Sequence, residues 1–305
     1  MKDELGVSSL PQGGEGMRIR RRTRGTDRAA EADRPGMTLT GAGSESLVPA
    51  RSAPAEGVVA RMDAQEDLWP LLDRVTAPVA PEGSPQAGRR WLSALYRSDP
   101  VAQGFDLLRT RLMQTMRARG WKRIAVAAPR RGAGATFTAV NLALSLARVP
   151  GSRTVLLDLN QRHPGVTRAL GLQGEAPVHR FLGGYASLEQ HIVKIADTLA
   201  IGLSSDTPCD HAAEVFMDPT TELVLEDMID VLRPDMVIYD LPPMLESDDV
   251  AAFLPQVDGI LLVSDGTATT ARDIAECERI LQGQTQLLGV VLNRARGGEF
   301  RNRGS

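Results

Sequence analysis

Cysteine is nearly absent from this chain: Cys209 and Cys277 are the only two in 305 residues. They show neither metal-ligand spacing nor a disulfide framework, so both read as reduced thiols of a cytoplasmic protein. The four histidines, His163, His179, His191 and His211, are scattered and form no ligand cluster along the chain. Basic excess is missing too. A formal net charge of -3 gives no global reason to expect nucleic acid as a partner. Apolar runs are only strand-length, and none approaches a bilayer-spanning helix, so the expected chain is soluble unless a partner holds it at a membrane. The opening Met1–Leu5 is polar and lacks the apolar core of a signal peptide. Its Lys-Asp-Glu-Leu stands at the wrong terminus for a retention address.

What remains is an ordinary globular composition, 42% hydrophobic and 24% charged. Residues 1–88 are rich in Gly, Pro, Ser and Ala with alternating charges and little periodicity, the pattern of a mostly disordered region. Within it lies a basic cluster, Arg18 to Arg24, that reads either as a contact for acidic lipid or nucleic acid or as solvated linker. Val59, Met62, Leu68, Leu71, Leu72 and Val75 mark a short docking helix between Val58 and Val75. A domain is expected over 89–297, with 298–305 as a flexible tail. Its first helix carries Phe105, Leu108, Leu112 and Met116 on one face, with Arg109, Arg111, Arg117 and Arg119 expected on the wet side or near the helix end.

After Gly120 the period changes. Arg123 to Ala128, Thr154 to Leu157, Leu199 to Leu203, Met236 to Tyr239, Gly259 to Val263 and Leu287 to Leu292 read as strands, most of them apolar throughout. Helices are expected over Ala139 to Ala147, Leu188 to Ile195, Thr220 to Leu232 and Thr270 to Leu281. Strands of this kind, alternating with amphipathic helices, predict an α/β fold with a parallel sheet covered on both faces. Ligands of such sheets sit at the strand C-terminal ends.

Three polar features fall at those ends. Between the first strand and its helix runs Arg130-Arg131-Gly132-Ala133-Gly134-Ala135-Thr136-Phe137, the outline of a phosphate-binding loop. Glycines are needed there because backbone N–H groups must approach phosphate oxygens with no side chain in the way. Asp158 ends the second strand, and Asp240 ends the strand from Met236. Thr136 occupies the place of a Mg²⁺-ligating hydroxyl, and Asp240 suits the carboxylate that holds the magnesium shell. A glycine loop alone is also what any tight strand-to-helix turn looks like; the loop and two aspartates on successive strand ends are far harder to produce by accident.

From about Asp99 to Arg296 the chain resembles the P-loop domain of bacterial tyrosine kinases that regulate exopolysaccharide polymerisation and export, the CpsD/CapB family, within the class that includes MinD and ParA ATPases. Phe105 to Leu112, the glycine loop, Asn141-Leu142-Ala143, Val155 to Pro164, Tyr239 to Pro243, Val257-Asp258-Gly259 and Leu288 to Arg294 carry the likeness in order. Asp-x-Pro-Pro at Asp240–Pro243 and Arg-x-Pro at Arg162–Pro164 separate this family from generic P-loop proteins.

The resemblance implies ATP or ADP with Mg²⁺ as cofactor, bound by Arg130, Arg131, Gly132, Ala133, Gly134, Ala135, Thr136, Phe137 and Asn293. Thr136 and Asp240 would hold the metal, and Asp158 and Asp240 would be catalytic. It also implies a membrane-bound polysaccharide co-polymerase or chain-length determinant as partner, homo-oligomers, and a place at the inner face of the plasma membrane.

Departures cluster at the chemistry. Ala135 stands where the family has its lysine, and Asn160 replaces the second carboxylate of Asp-x-Asp. The ring-forming Glu-x-x-Arg-x-x-Arg reads Gln103, Asp106, Arg109. No tyrosine cluster ends the chain, whose only tyrosines are Tyr96, Tyr185 and Tyr239. Removing a phosphate-directed charge commonly costs powers of ten in rate. The expectation is therefore a kinase-like protein with impaired or absent phosphoryl transfer. Two alternatives stand beside it: a working kinase or ATPase that uses Arg130 or Arg131 in place of the lysine, and a MinD/ParA-like positioning ATPase.

Overall fold

The computed structural model describes residues 67–76, 92 and 99–295. The chain divides at Ala53, and all described residues belong to the second unit. The basic cluster of Arg18 to Arg24, the start of the domain near Trp91 apart from Leu92, and the tail lie outside them.

Seven strands form one sheet: β1 Arg123–Ala127, β2 Thr154–Asp158, β3 Ile192–Ala196, β4 Leu199–Gly202, β5 Met236–Asp240, β6 Gly259–Asp265 and β7 Gln286–Asn293. Their order is β3-β4-β2-β5-β1-β6-β7, and every neighbouring pair is parallel except β3 with β4. Period-two alternation divides their side chains between two cores. Ala125, Val155, Leu157, Val237, Tyr239, Ile260 and Leu262 enter one. Ile124, Val126, Leu156, Ile238, Leu261 and Val263 enter the other.

Helices α1 Pro100–Arg119 and α2 Ala135–Leu146 cover the second of these cores through Phe105, Leu112, Met116, Leu142 and Leu146. Short helices α3 Val166–Ala169, α4 Val178–Leu182, α5 Leu188–His191 and α6 Ala212–Met217 follow in the chain. They are succeeded by α7 Pro219–Leu232, α8 Asp249–Phe253 and α9 Ala271–Leu281. The face opposite α1 and α2 is closed by Phe181, Phe216, Leu225, Met228 and Phe253.

Local signals set the boundaries. Asp99 caps α1 by accepting from the Val101 N–H, Pro100 starts the helix, and Gly120 ends it at φ 68°. Thr270 and Asp273 form a reciprocal capping box at α9.

Two expectations are corrected. The helix predicted from Leu188 to Ile195 stops at His191, and Ile192–Ala196 pairs antiparallel with β4. A Ser187–Gln190 capping box starts the helix, but Ile192, Val193 and Ile195 are β-branched and gain a ladder by turning into the sheet edge. Arg109 is not on the wet side. Its guanidinium donates to the Ser145 carbonyl at 2.9 Å, because the last turn of α2 leaves carbonyls without helical partners where α1 packs.

The described part of the Val58–Val75 stretch docks on the domain through a single 3-10 turn, Trp69–Leu71, with Leu68, Trp69 and Leu72 in the core. The Trp69 indole N–H donates to the Asp197 carbonyl, and Val75 N–H to the Lys194 carbonyl, which continues the sheet past β3. Replacing Trp69 with Ala removes this anchor and is expected to lower unfolding free energy by about 3 kcal/mol. The neighbouring, exposed Leu71 changed to Ala should cost less than about 0.5 kcal/mol. Denaturant titration followed by circular dichroism compares the two.

Candidate functional site

The C-terminal ends of β1, β2 and β5 meet at a cavity of about 640 Å³. Parallel register places Asp158 and Asp240 side by side on β2 and β5, with Val126 of β1 next in the row. The glycine loop leaves β1 at Ala128 and enters α2. Gly132 and Gly134 have φ of 85° and 101°, values that favour glycine. Gly134 is required twice over, since a Cβ there would lie 2.2 Å from Asn293 Nδ2. Asn293 Nδ2 in turn donates to the Ala133 carbonyl at 2.8 Å, so the end of β7 clamps the loop.

Among the described residues, the amide N–H groups of Gly132, Ala133, Gly134, Ala135 and Thr136 find no protein acceptor. They line the cavity at the start of a three-turn helix, where the helix dipole favours an anion. Arg131 N–H is the exception in this run, donating to a carboxylate oxygen of Glu246 at 2.7 Å.

Thr136 Oγ1 donates to Asp240 Oδ2 at 2.6 Å. Asp240 is fully buried, and its other oxygen, Oδ1, has no partner. Burial first, and the neighbouring Asp158 next, drive its carboxyl well above the ordinary range. Asp158 is pushed up to about 6 by burial, against the pull of three backbone N–H donors. Those donors are Gly165 at 2.6 Å, Val166 at 2.8 Å and Asn160 at 3.2 Å, so Asp158 ties residues 160–166 to the sheet.

An orphaned carboxylate oxygen beside a threonine hydroxyl fits a divalent cation. No cluster of three or more His, Cys, Asp or Glu among the described residues could hold a metal by itself, so phosphate oxygens or water would have to complete the shell.

The remaining residues singled out from sequence are all brought to this cavity, with different attachments. Arg130 donates through two guanidinium nitrogens to Asp273, the capping residue of α9. The Thr270 hydroxyl and backbone, helped by Arg130, hold Asp273 down at about 2. Arg131 faces the His163 ring at 3.0 Å, and burial together with that guanidinium lowers the His163 pKa. Phe137 lines the cavity and meets Phe105 of α1 edge to face.

Sequence reasoning gave no site role to Gly165, Arg168, Pro243 and Arg294, which also line the cavity, although Pro243 and Arg294 stood within the quoted motifs. At Gly165 a Cβ would stand a tight 3.2 Å from the Thr136 methyl. Their common signal is position, one to ten residues beyond Asp158, Asp240 or Asn293. The Arg-x-Pro arginine, Arg162, lies elsewhere, in an ion pair with fully buried Asp249. Ring-motif positions Asp106 and Arg109 are joined to each other, to Ser145 and, for Asp106, to Arg148.

A glycine loop between the first strand and its helix, a threonine opening that helix, and an aspartate ending the adjacent strand define a P-loop domain of the α/β class. Comparison narrows the class. No family model matches the chain. The tyrosine-protein kinase CpsD of Streptococcus pneumoniae serotype 4 is 30% identical over 182 residues, covering 57% of this chain and 76% of that protein. The succinoglycan biosynthesis transport protein ExoP of Rhizobium meliloti is 30% identical over 179 residues, 56% of this chain and 22% of its own. In structure, the VpsO kinase domain superposes with a TM-score of 0.57 at 25% identity, covering 69% of this chain and 98% of that one. The chain therefore belongs to the bacterial tyrosine-protein kinase family that includes CpsD. Set against two Ralstonia tyrosine-protein kinases, it spans 27% of their length.

The paired carboxylates generate a pH prediction. Both have folded-state pKa values raised above their unfolded values, so the folded protein binds more protons and their contribution is fully present only below about pH 4. It is lost as pH rises through about 6 for Asp158 and higher for Asp240. Without divalent cations, Asp240→Asn should therefore gain thermal stability over the wild type between pH 5 and pH 8. Melting temperatures for both proteins across that range check it, and a constant difference would count against a buried charged pair.

Proposed function

We propose that this protein is a kinase-like member of its family that binds ATP or ADP with Mg²⁺ and regulates a membrane-bound polysaccharide co-polymerase, with little or no phosphoryl transfer. The observation that carries nucleotide binding is the run of five loop amides without protein acceptors, facing the same cavity as Thr136. Thr136 and Asp240 would hold the metal, whose charge would neutralise the phosphates. The loop amides bind and orient; Asp158 keeps the opposite wall in place.

Loss of transfer follows from Ala135 and Asn160. An alanine supplies no cation to the transferring phosphoryl group, and an amide keeps the shape of a carboxylate without its charge or proton acceptance. Asn160 lines the cavity, so its substitution falls at the site itself. The polysaccharide pathway rests on the family and on a relative described as a succinoglycan biosynthesis transport protein. No helix among the described residues is long and apolar enough to cross a membrane.

Arg130 as a stand-in for the lysine is poorly supported, because its guanidinium is engaged by Asp273. The ring-forming contacts of the family are poorly supported for the same kind of reason, since Asp106 and Arg109 already satisfy each other and α2.

Calorimetric titration of the full chain with ATP and ADP, with and without Mg²⁺, tests the reading. Binding that strengthens with Mg²⁺, and loses that Mg²⁺ dependence in Thr136→Ala, is expected, with phosphate release at least about a thousandfold below that of an active relative. Rapid turnover abolished by Asp240→Ala would overturn the loss of transfer; no binding of either nucleotide would overturn the function as a whole.

A further inference from the structure

The cavity lacks the loop lysine, yet it does not lack cations. Four arginines line it, namely Arg130, Arg131, Arg168 and Arg294. Two are neutralised by carboxylates, Arg130 by Asp273 and Arg294 by Asp265 at 2.6 Å. Arg131 is held against the His163 ring while its own backbone N–H donates to Glu246, so a carboxylate already sits beside it. Arg168 differs from all three. It is exposed, and its guanidinium makes no hydrogen bond or ion pair with the described residues.

Its placement is nevertheless fixed. Arg168 stands on α3, three residues after Gly165, one helical turn from where the chain touches Thr136. Asp158 holds the start of α3 through Gly165 and Val166, and Thr167 Oγ1 accepts the buried Ser204 N–H on the next residue. The backbone leading into Arg168 is thus tied to Asp158 at the end of β2 and to Ser204 beyond β4, while its guanidinium is left uncommitted. The positive charge also acts on Asp158 across the gap, opposing the upward push of burial.

We infer that Arg168 supplies the phosphate-directed charge that Ala135 cannot, delivering it from α3 across the cavity instead of from the loop. The inference rests on the nucleotide-binding reading above and names the residue that makes it work. A guanidinium suits the task because its planar fork meets two phosphate oxygens at once and stays charged at any working pH. Charge brought from α3 would recognise the outer phosphates of a nucleoside di- or triphosphate. It offers nothing to a nucleoside.

The test is titration of the full chain with adenosine, ADP and ATP, in Mg²⁺, for wild type, Arg168→Gln and Arg168→Lys, with the exposed α1 substitution Arg111→Gln as control. Arg168→Gln should weaken ATP binding by about ten- to a hundredfold and ADP binding less, leaving adenosine and the melting temperature unchanged. Arg168→Lys should restore part of the loss, and Arg111→Gln should match wild type. ATP affinity of Arg168→Gln within twofold of wild type, or an equal loss for adenosine, would overturn the assignment while leaving nucleotide binding intact. A wild-type protein that binds neither nucleotide would overturn both.

Discussion

Everything at this site depends on a carboxylate that does not reach the cavity. Asp158, buried at the end of β2, accepts the N–H groups of Asn160, Gly165 and Val166, and so folds the following segment back over the strand ends. An Asp accepting several backbone N–H bonds is the strongest local tie a short loop can have, because each bond is charge-assisted. That tie brings Gly165 against Thr136 and sets α3 opposite the glycine loop. Strand register separately places Asp158 beside Asp240 on β5, where two buried carboxyls disfavour ionising together without a cation. The same carboxylate thus shapes the wall and adds to the electrostatic demand that a metal would satisfy.

Loop geometry and loop charge separate cleanly in this molecule. Gly132 and Gly134 retain the left-handed backbone that turns successive amides inward, and Asn293 clamps the loop at Ala133. These contacts require no lysine, because a nest of amides binds an anion through its backbone dipoles. The cation matters for a developing charge on a transferring group, which is a matter of rate more than of occupancy. Under the proposed function, a loop that keeps the glycines without the lysine would still bind nucleotide phosphates while transferring them poorly. Of the four arginines around the cavity, two are spent on carboxylates that belong to the scaffold, and the charge assigned to Arg168 serves phosphate binding, not the transferring group.

The central sheet was legible because its strands are buried on both faces and so read as unbroken apolar runs, each ending where the chemistry begins. Asp158, Asp240 and the loop fell at strand ends for that reason alone. β3 was not legible, because Ile192–Ala196 follows a good capping box and becomes a strand only through its partner β4. The Trp69 turn was half legible: Leu68 and Leu72 stood out and are buried, but Trp69 itself was not singled out, and Leu71, which was, stays exposed. Arg109 was misplaced because helical spacing assigns a face and says nothing of which carbonyls lie opposite. Arg168 carries no local pattern at all. Its importance comes from what the other arginines are already doing, and that balance exists only in three dimensions.

The ring-motif positions carry the same logic one step further. Asp106 and Arg109 stand at the positions that the resemblance assigns to ring formation, and both are absorbed into the α1–α2 contact with Ser145 and Arg148. An intramolecular ion pair costs little entropy once two helices are packed, whereas the same groups offered to another subunit must first be withdrawn from these bonds. Under the proposed function, assembly through these positions would first have to break the bonds of Asp106 and Arg109 to each other and to Ser145, so the α1–α2 contact itself opposes it.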